Sequence, residues 1–373
     1  MASETTIILA GGGTGGHLYP GVAVAEALIK RQPDAKPLFL CTTREIDRVI
    51  LKPTGMEWIE QPIVPPSKSV GGLLKFWKSW RETKDLVRGI LKDRKPAAVI
   101  GLGGYAAGVA VQRAALRKIP AVVLNPDVIP GKANQFLMQY ASAVCCQFAA
   151  AAEHISSQHR SKIRVTGCPI RADIRQLPPR AEAEARLGLA SGLQTLVVTG
   201  ASQGAVTVNE AMLALAGTIT LNGWQILHLS GRDHGDKVRA AYREKSVPAR
   251  VIDFTPAMAD VWACCDLALS RSGASSCAEL TACAIPSILM PYPFHKDLHQ
   301  RANARALSEA GAAVLMDDER DARRNAQKLQ PILQSLLYDA PRRSRMAQAA
   351  RELGRPDAAD AVATVVLELL DKN

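Results

Sequence analysis

The stretch Ile7-Ile8-Leu9-Ala10-Gly11-Gly12-Gly13-Thr14-Gly15-Gly16-His17 reads as a buried strand that breaks at once into a glycine-rich turn. Five glycines in six positions free the backbone to adopt positive φ and to bring N–H groups against an anion. A helix starting near Tyr19-Pro20 adds its positive dipole end, and His17 stands at the mouth of that anion site. A turn of this kind also serves purely structural connections, so its meaning depends on the rest of the chain.

Short apolar runs at residues 6–9, 37–42, 59–63, 97–101, 121–124 and 143–146 alternate with longer segments of helical period. Continuous Val/Ile/Leu runs separated by helices imply a parallel sheet covered on both faces. A hinge is expected near residues 167–170, followed by a polar segment carrying Arg and Pro. The alternation then resumes at 195–199, 226–229, 251–254, 267–269 and 287–290. At 373 residues the chain exceeds the roughly 250–300 at which one core stops growing. The expected fold is α/β: two Rossmann-like, doubly wound domains facing across a cleft, over residues 1–166 and 170–354.

A net charge of +11 leaves nucleic acid, an anionic membrane surface or anionic substrates as partners. Aromatic residues make up only 5%, with no zinc-finger spacing and no RRM-like aromatic signature, which argues against a nucleic-acid reader. The eight cysteines include the adjacent pairs Cys145-Cys146 and Cys264-Cys265 but no CxxC spacing, so they read as small buried hydrophobes of a reducing cytosol. Met1 leads almost directly into the first strand and no apolar run approaches the ~20 residues of a membrane span. A cytoplasmic protein, at most a surface binder, is expected.

The second half repeats the opening device. The strand at 195–199 ends in Gly200-Ala201-Ser202-Gln203-Gly204-Ala205, a second anion cradle in which Ser202 offers a hydroxyl. Ser270-Arg271-Ser272-Gly273 leads into a helix carrying Glu279, whose carboxylate can accept two hydrogen bonds from a ribose diol. A first-turn acid that merely complements the helix dipole is the plain alternative. The segment from Pro291 to Gln300 then packs polar residues, His299 among them, where loops after strands carry specificity.

Ordered along almost the whole chain, these residues resemble glycosyltransferase family 28, the MurG family of bacterial N-acetylglucosaminyltransferases of GT-B fold. The resemblance is carried by residues 12–17 with Pro20, Gly103-Gly104-Tyr105, Pro130-Gly131 with Asn134, Thr166-Gly167 with Pro169 and residues 200–205. It continues through Phe254 with Met258, Arg271-Ser272-Gly273 through Glu279, and His299-Gln300 with Asn303-Ala304. The resemblance implies that the second domain holds UDP-GlcNAc. The Thr255 backbone would read the uracil edge, and Glu279 would bind the ribose hydroxyls. Ser202, with Gln203, Gly204, Arg271 and Gly273 around it, would hold the diphosphate, and His299 and Gln300 would contact the sugar. The first domain would receive lipid I, an undecaprenyl-diphosphate-linked acceptor, through Thr14, Gly15, Gly16, Tyr105 and Asn134. No metal or other cofactor is implied, because amides and a helix dipole can stabilise departing UDP. A C-terminal helix over residues 355–373 would pack back toward the first domain.

The implied reaction inverts the donor's α linkage in one displacement and makes lipid II for peptidoglycan. It needs a base for the acceptor's C4 hydroxyl, and His17 is the first candidate, with hydrogen bonding to the acceptor phosphate as its other reading. The family usually carries His-Glu-Gln-Asn where this chain reads Leu124-Asn125-Pro126-Asp127. Loss of a carboxylate at Asn125 and gain of one at Asp127 suggests a polar or general-base role for Asp127. Leu73, Phe76, Trp77 and Trp80 fall on one helical face among Lys and Arg residues, which predicts reversible docking on the anionic cytoplasmic leaflet; the resemblance adds a cell-wall synthesis complex as a partner. Another UDP-sugar transferase with a different lipid or polysaccharide acceptor, and a non-catalytic nucleotide-sugar scaffold, are the competing readings. A dinucleotide oxidoreductase fits least, because no acid stands convincingly at the ribose position after the second strand.

Overall fold

The structure, a computed structural model, describes residues 5–67, 69–200, 204–294 and 297–372. The chain forms two compact units, Met1–Arg171 with Pro356–Asn373, and Ala172–Arg355.

The first unit holds strands β1 (Thr5–Ala10), β2 (Ala35–Cys41), β3 (Glu57–Glu60), β4 (Ala98–Gly101), β5 (Ala121–Asn125), β6 (Ala143–Cys146) and β7 (Ile163–Val165). They pair in the order β3-β2-β1-β4-β5-β6-β7, every pair parallel. Helices α1 (Gly15–Arg31), α2 (Glu45–Leu51), α3 (Val70–Asp93), α4 (Gly108–Ala115) and α5 (Lys132–Met138) connect them. Alternate side chains enter two cores. Ile7, Leu9, Phe39 and Ile100 pack with Val24 and Leu28 of α1, whereas Ile8, Leu38, Leu40 and Val99 pack with Val87 and Ile90 of α3 and Val109 of α4. Burying each such side chain contributes about 1.5–3 kcal/mol, so a strand buried on both faces has no polar position to spare.

The second unit holds β8 (Gln194–Thr199), β9 (Trp224–Leu229), β10 (Ala249–Ile252), β11 (Leu267–Ser270), β12 (Ser287–Leu289) and β13 (Ala313–Leu315), in the order β10-β9-β8-β11-β12-β13. Its helices are α6 (Ala172–Arg175), α7 (Arg180–Leu187), α8 (Val206–Leu215), α9 (Gly235–Glu244), α10 (Met258–Ala263), α11 (Ala274–Ala282), α12 (His299–Glu309), α13 (Ala322–Tyr338) and α14 (Ala340–Leu353). The chain then returns to the first unit, where α15 (Ala358–Leu370) lays Val362 and Val366 in the core shared with α1.

Both sheets reverse strand order beside their first strand, between β1 and β4 and between β8 and β11. At such a switch point adjacent loops diverge to opposite faces and open a crevice at the strand carboxyl ends. In each unit a glycine turn occupies it. Two strands lie beyond the sequence expectation, β7 and β13, each a three-residue sheet edge. Arg164 and Val165 of β7 are exposed, so that edge lacks an apolar pattern to read.

His228 on β9 is fully buried, and its Nδ1 lies 2.9 Å from Tyr242 Oη while Nε2 lies 3.0 Å from Asn209 Oδ1. Asn209 Nδ2 donates to Ser230 O, so Oδ1 must accept from His228 Nε2–H and the Tyr242 hydroxyl donates to Nδ1. Burial pushes the imidazole down to about 3. Below about pH 6.5 the unfolded chain therefore binds a proton here that the native state refuses, and stability is lost as pH falls toward 3. In urea unfolding of wild type and His228→Gln, the wild type's advantage should shrink with falling pH below about 6.5, by up to ~1.4 kcal/mol per pH unit. An advantage that stays constant from neutral pH to pH 4 would contradict a neutral buried imidazole.

Candidate active site

In the first unit, β1 ends against β4 so closely that a Cβ on Gly11 would stand 2.6 Å from Leu102 Cβ. A Cβ on Gly12 would stand 2.3 Å from Asp47 Oδ2, and Gly13 has φ +82°, in the left-handed region. The turn is held from behind by Asp47 of α2, which is fully buried. Its carboxylate accepts from Gly13 N–H at 2.8 and 2.9 Å, from Thr42 N–H at 2.8 Å and from Thr42 Oγ1 at 2.7 Å. Arg44 Nη1 donates to Gly13 O at 3.1 Å. Sequence reasoning missed both residues; the run Thr42 to Asp47 carries no phosphate signature.

Helix α1 begins at Gly15 rather than near Tyr19-Pro20. Thr14 O accepts from His17 and Leu18 N–H, which winds the first turn ahead of the proline. Pro20 lacks only the N–H that would have reached Gly16 O, and glycine at 16 presents no side chain there. The N–H groups of Thr14, Gly15 and Gly16 have no partner among the described residues.

His17 Nδ1 lies 3.2 Å from Gly12 O and 3.3 Å from Thr14 Oγ1. A carbonyl only accepts, so Nδ1 carries the proton and Nε2 presents its lone pair. The ring lies over Gly103 and Gly104, with φ +105° and +71°. A Cβ on Gly103 would stand 3.4 Å from His17 Nε2 and 3.5 Å from Asn134 Oδ1. Asn134 is buried, and its Nδ2 donates to Leu124 O at 2.9 Å and Asn125 Oδ1 at 3.2 Å. Its Oδ1 is buried without a partner among the described residues, an acceptor open to a donor beside a proton-accepting imidazole. Tyr105 Oη and Arg44 both come within 4 Å of a Cβ built on Gly13, bringing two more polar groups to the turn. Asp127 is half-buried on the β5–α5 loop, and its backbone carbonyl accepts from Asn125 Nδ2 at 2.9 Å.

In the second unit, a Cβ on Gly200 would stand 2.1 Å from Ala205 N, and one on Gly204, φ +73°, would stand 2.4 Å from Ser230 O. Only glycine closes this turn. Ser202 and Gln203 lie outside the described residues. Beside the turn, Gly273 precedes α11, and a Cβ built on it would meet nothing within 4 Å. Glu279 sits in the second turn of α11, not the first, so it does not cap the dipole. The indole Nε1 of buried Trp262 donates to Glu279 Oε2 at 2.7 Å and aims the carboxylate. Thr255 follows β10; its side chain accepts from Ala257 N–H at 3.1 Å, while its own N–H and C=O have no partner among the described residues.

Arg271 has several structural partners of its own. Its buried guanidinium donates to Met290 O, Pro291 O, Asp318 Oδ2 and Thr207 Oγ1 at 2.7–3.1 Å. It thereby ties the loops after β11, β12 and β13 to the start of α8. Burial alone would raise the Asp318 pKa, but hydrogen bonds from Thr207, Asn325, the Arg320 amide and Arg271 hold it below its ordinary value. Gln300 O accepts from Ser272 Oγ at 2.8 Å and Gln300 Oε1 from Tyr292 N–H at 3.0 Å, while His299 Nδ1 meets Asp297 Oδ1 at 2.7 Å.

A model of the glycosyltransferase family 28 N-terminal domain matches residues 7–146, and one of its C-terminal domain matches residues 195–362. The chain belongs to glycosyltransferase family 28. Relatives named UDP-N-acetylglucosamine--N-acetylmuramyl-(pentapeptide) pyrophosphoryl-undecaprenol N-acetylglucosamine transferase span nearly all of it. The protein of that name from Halothermothrix orenii is 34% identical over 94% of this chain and 95% of its own. That from Anaeromyxobacter sp. strain K is 37% identical over 98% and 93%. Among solved structures, Acinetobacter baumannii MurG superposes with TM-score 0.76 at 23% identity, covering 98% of this chain and 99% of that one. A Neisseria meningitidis UDP-GlcNAc 2-epimerase bound to UDP-GlcNAc reaches 0.71 at 14% identity, over 99% and 100%. These two likenesses bear on the fold alone.

Proposed function

We propose that this family 28 chain transfers N-acetylglucosamine from UDP-GlcNAc to the C4 hydroxyl of N-acetylmuramic acid in undecaprenyl-diphosphate-linked MurNAc-pentapeptide. The observation that carries this reading is the end-to-end similarity to relatives named for that transfer, at 34–37% identity. Two glycine turns, one at each sheet's switch point, supply the chemistry the reading needs.

The donor's diphosphate rests on the turn at residues 200–205 and the start of α11, with Gly204, Gly273, Ser202 and Gln203 around it. Uracil meets the Thr255 backbone, the ribose diol meets Glu279, and His299 with Gln300 meets the sugar. Arg271 supports these loops from beneath. The acceptor's diphosphate lies on the amides of Thr14, Gly15 and Gly16 near Tyr105. His17 Nε2 takes the C4 proton as the oxygen attacks the anomeric carbon. The C–O bond to UDP breaks in the same displacement, its charge received by amides and a helix dipole. Asn134 Oδ1, on α5, accepts a donor of the acceptor sugar, and Asp127, on the β5–α5 loop, has a polar or general-base role.

Labelled GlcNAc should pass from UDP-GlcNAc to a short-chain lipid I. Glu279→Ala should raise the donor KM about tenfold or more, since a charge-assisted hydrogen bond contributes ~1.5–3 kcal/mol. His17→Ala should lower kcat about 10²–10⁴-fold with UDP affinity kept. Asp127→Asn with unchanged turnover would remove Asp127 from the reaction. No transfer by wild type that still binds UDP-GlcNAc would overturn the acceptor assignment.

Helix α3 carries the proposed membrane contact, at the cytoplasmic face of the cell membrane. Val70 is 77%, Leu74 68% and Trp77 62% exposed, joined by Leu73 among exposed Lys75, Lys78 and Arg81. Trp80 turns inward against Gly108, and Phe76 packs beside it with ring centroids 5.6 Å apart, so the outward stripe is Val70, Leu73, Leu74 and Trp77. No helix among the described residues is long and apolar enough to cross a membrane. Wild type should co-sediment with anionic vesicles at low salt, and Leu74→Ser with Trp77→Ser should release it several-fold without lowering Tm. Wild type remaining in the supernatant would count against docking.

A further inference from the structure

The glycine turn of the first unit has an acid behind it, an unusual neighbour for a group meant to receive phosphate. Asp47 occupies the Gly13 N–H through both carboxylate oxygens, so that amide is closed to a ligand. The amides left open are those of Thr14, Gly15 and Gly16, and a buried carboxylate behind them repels an anion in front. A partial helix charge of about half a unit does not cancel a full carboxylate. An anion site here needs a cation.

Arg44 is placed to be that cation. Its Nη1 donates to Gly13 O at 3.1 Å, which anchors the guanidinium at the turn. Tyr105 Oη, Arg44 Cδ and Arg44 Nη1 stand 3.6, 3.7 and 3.8 Å from one point above Gly13. The side chain is exposed, and its Nε and Nη2 have no partner among the described residues. It makes no ion pair with Asp47, whose acceptor positions face Gly13 and Thr42. The unpartnered, buried Asn134 Oδ1 beside His17 independently marks this end of the sheet as one that receives a ligand.

We propose that Arg44 is a further ligand of the acceptor's diphosphate, with Asp47 as the positioning residue that fixes the turn and directs the anion toward Arg44. This inference rests on the transferase reading for the identity of the acceptor. A guanidinium presents a fork of N–H donors that matches two phosphate oxygens, and a lysine at 44 would supply charge without the fork.

The test uses the full chain with UDP saturating, titrated with geranyl diphosphate and geranyl monophosphate by calorimetry. Wild type should prefer the diphosphate. Arg44→Gln should weaken diphosphate binding at least tenfold, keep UDP affinity and Tm, and raise the KM for short-chain lipid I but not for UDP-GlcNAc. Arg44→Lys should recover part of the loss. Diphosphate affinity unchanged in Arg44→Gln, or UDP affinity falling alongside it, would overturn the proposal, as would a wild type that binds neither geranyl phosphate. A wild type with Arg44-dependent diphosphate affinity but no transfer to lipid I would overturn the acceptor assignment and leave the Arg44 site standing.

Discussion

A buried parallel strand that passes directly into a helix leaves N–H groups with no backbone acceptor, and the rest of this molecule is arranged around that deficit. It occurs at the carboxyl end of β1, and a second glycine-flanked turn follows β8, each beside the strand where its sheet reverses order. Side chains are excluded from both places by contact: at Gly11 and Gly12 in the first unit, at Gly200 and Gly204 in the second. In the first unit the amides of Thr14, Gly15 and Gly16 have no partner among the described residues, and an anion is their natural partner.

The two units solve the same problem with different supports. In the first, a charged group fixes the turn: Asp47 grips Gly13 and Thr42, and Arg44 grips the Gly13 carbonyl. In the second, backbone meets backbone, with Gly204 against Ser230 and Gly231, and the neutral chain Tyr242–His228–Asn209 holds the Ser230 carbonyl. Arg271 and Asp318 then lash the neighbouring loops together. An acid behind one turn and neutral groups behind the other imply different electrostatic demands on the ligands. An anion at the first turn would face the Asp47 carboxylate and call for a balancing cation.

The architecture was legible because buried parallel strands leave continuous apolar runs, and β1, β4, β5, β6 and β8 sit close to where those runs lie. The edges were not: β3 runs Glu57–Glu60 rather than 59–63, and three-residue β7 and β13 have no pattern of their own. Sequence singled out Glu279 as a candidate from the turn preceding it, but could not show that Trp262, seventeen residues earlier, aims its carboxylate. Asp47 was invisible for the same reason, since it reaches Gly13 across 34 residues of chain. Helical spacing grouped Trp80 with Trp77, and only the packing of Trp80 on Gly108 separates core from surface. Arg271 was found as a residue, but not its hold on Thr207 and Asp318, because sequence does not show where a long side chain ends.

Hydrogen exchange with each substrate added separately tests most directly whether the two turns receive different substrates. UDP-GlcNAc should slow exchange at residues 204–209 and 273–279 and leave residues 11–18 unchanged, while short-chain lipid I should slow exchange at 11–18 and 103–105 and leave 204–209 unchanged. Protection of residues 11–18 by UDP-GlcNAc alone, with none at 204–209, would contradict the assignment of donor and acceptor to these turns.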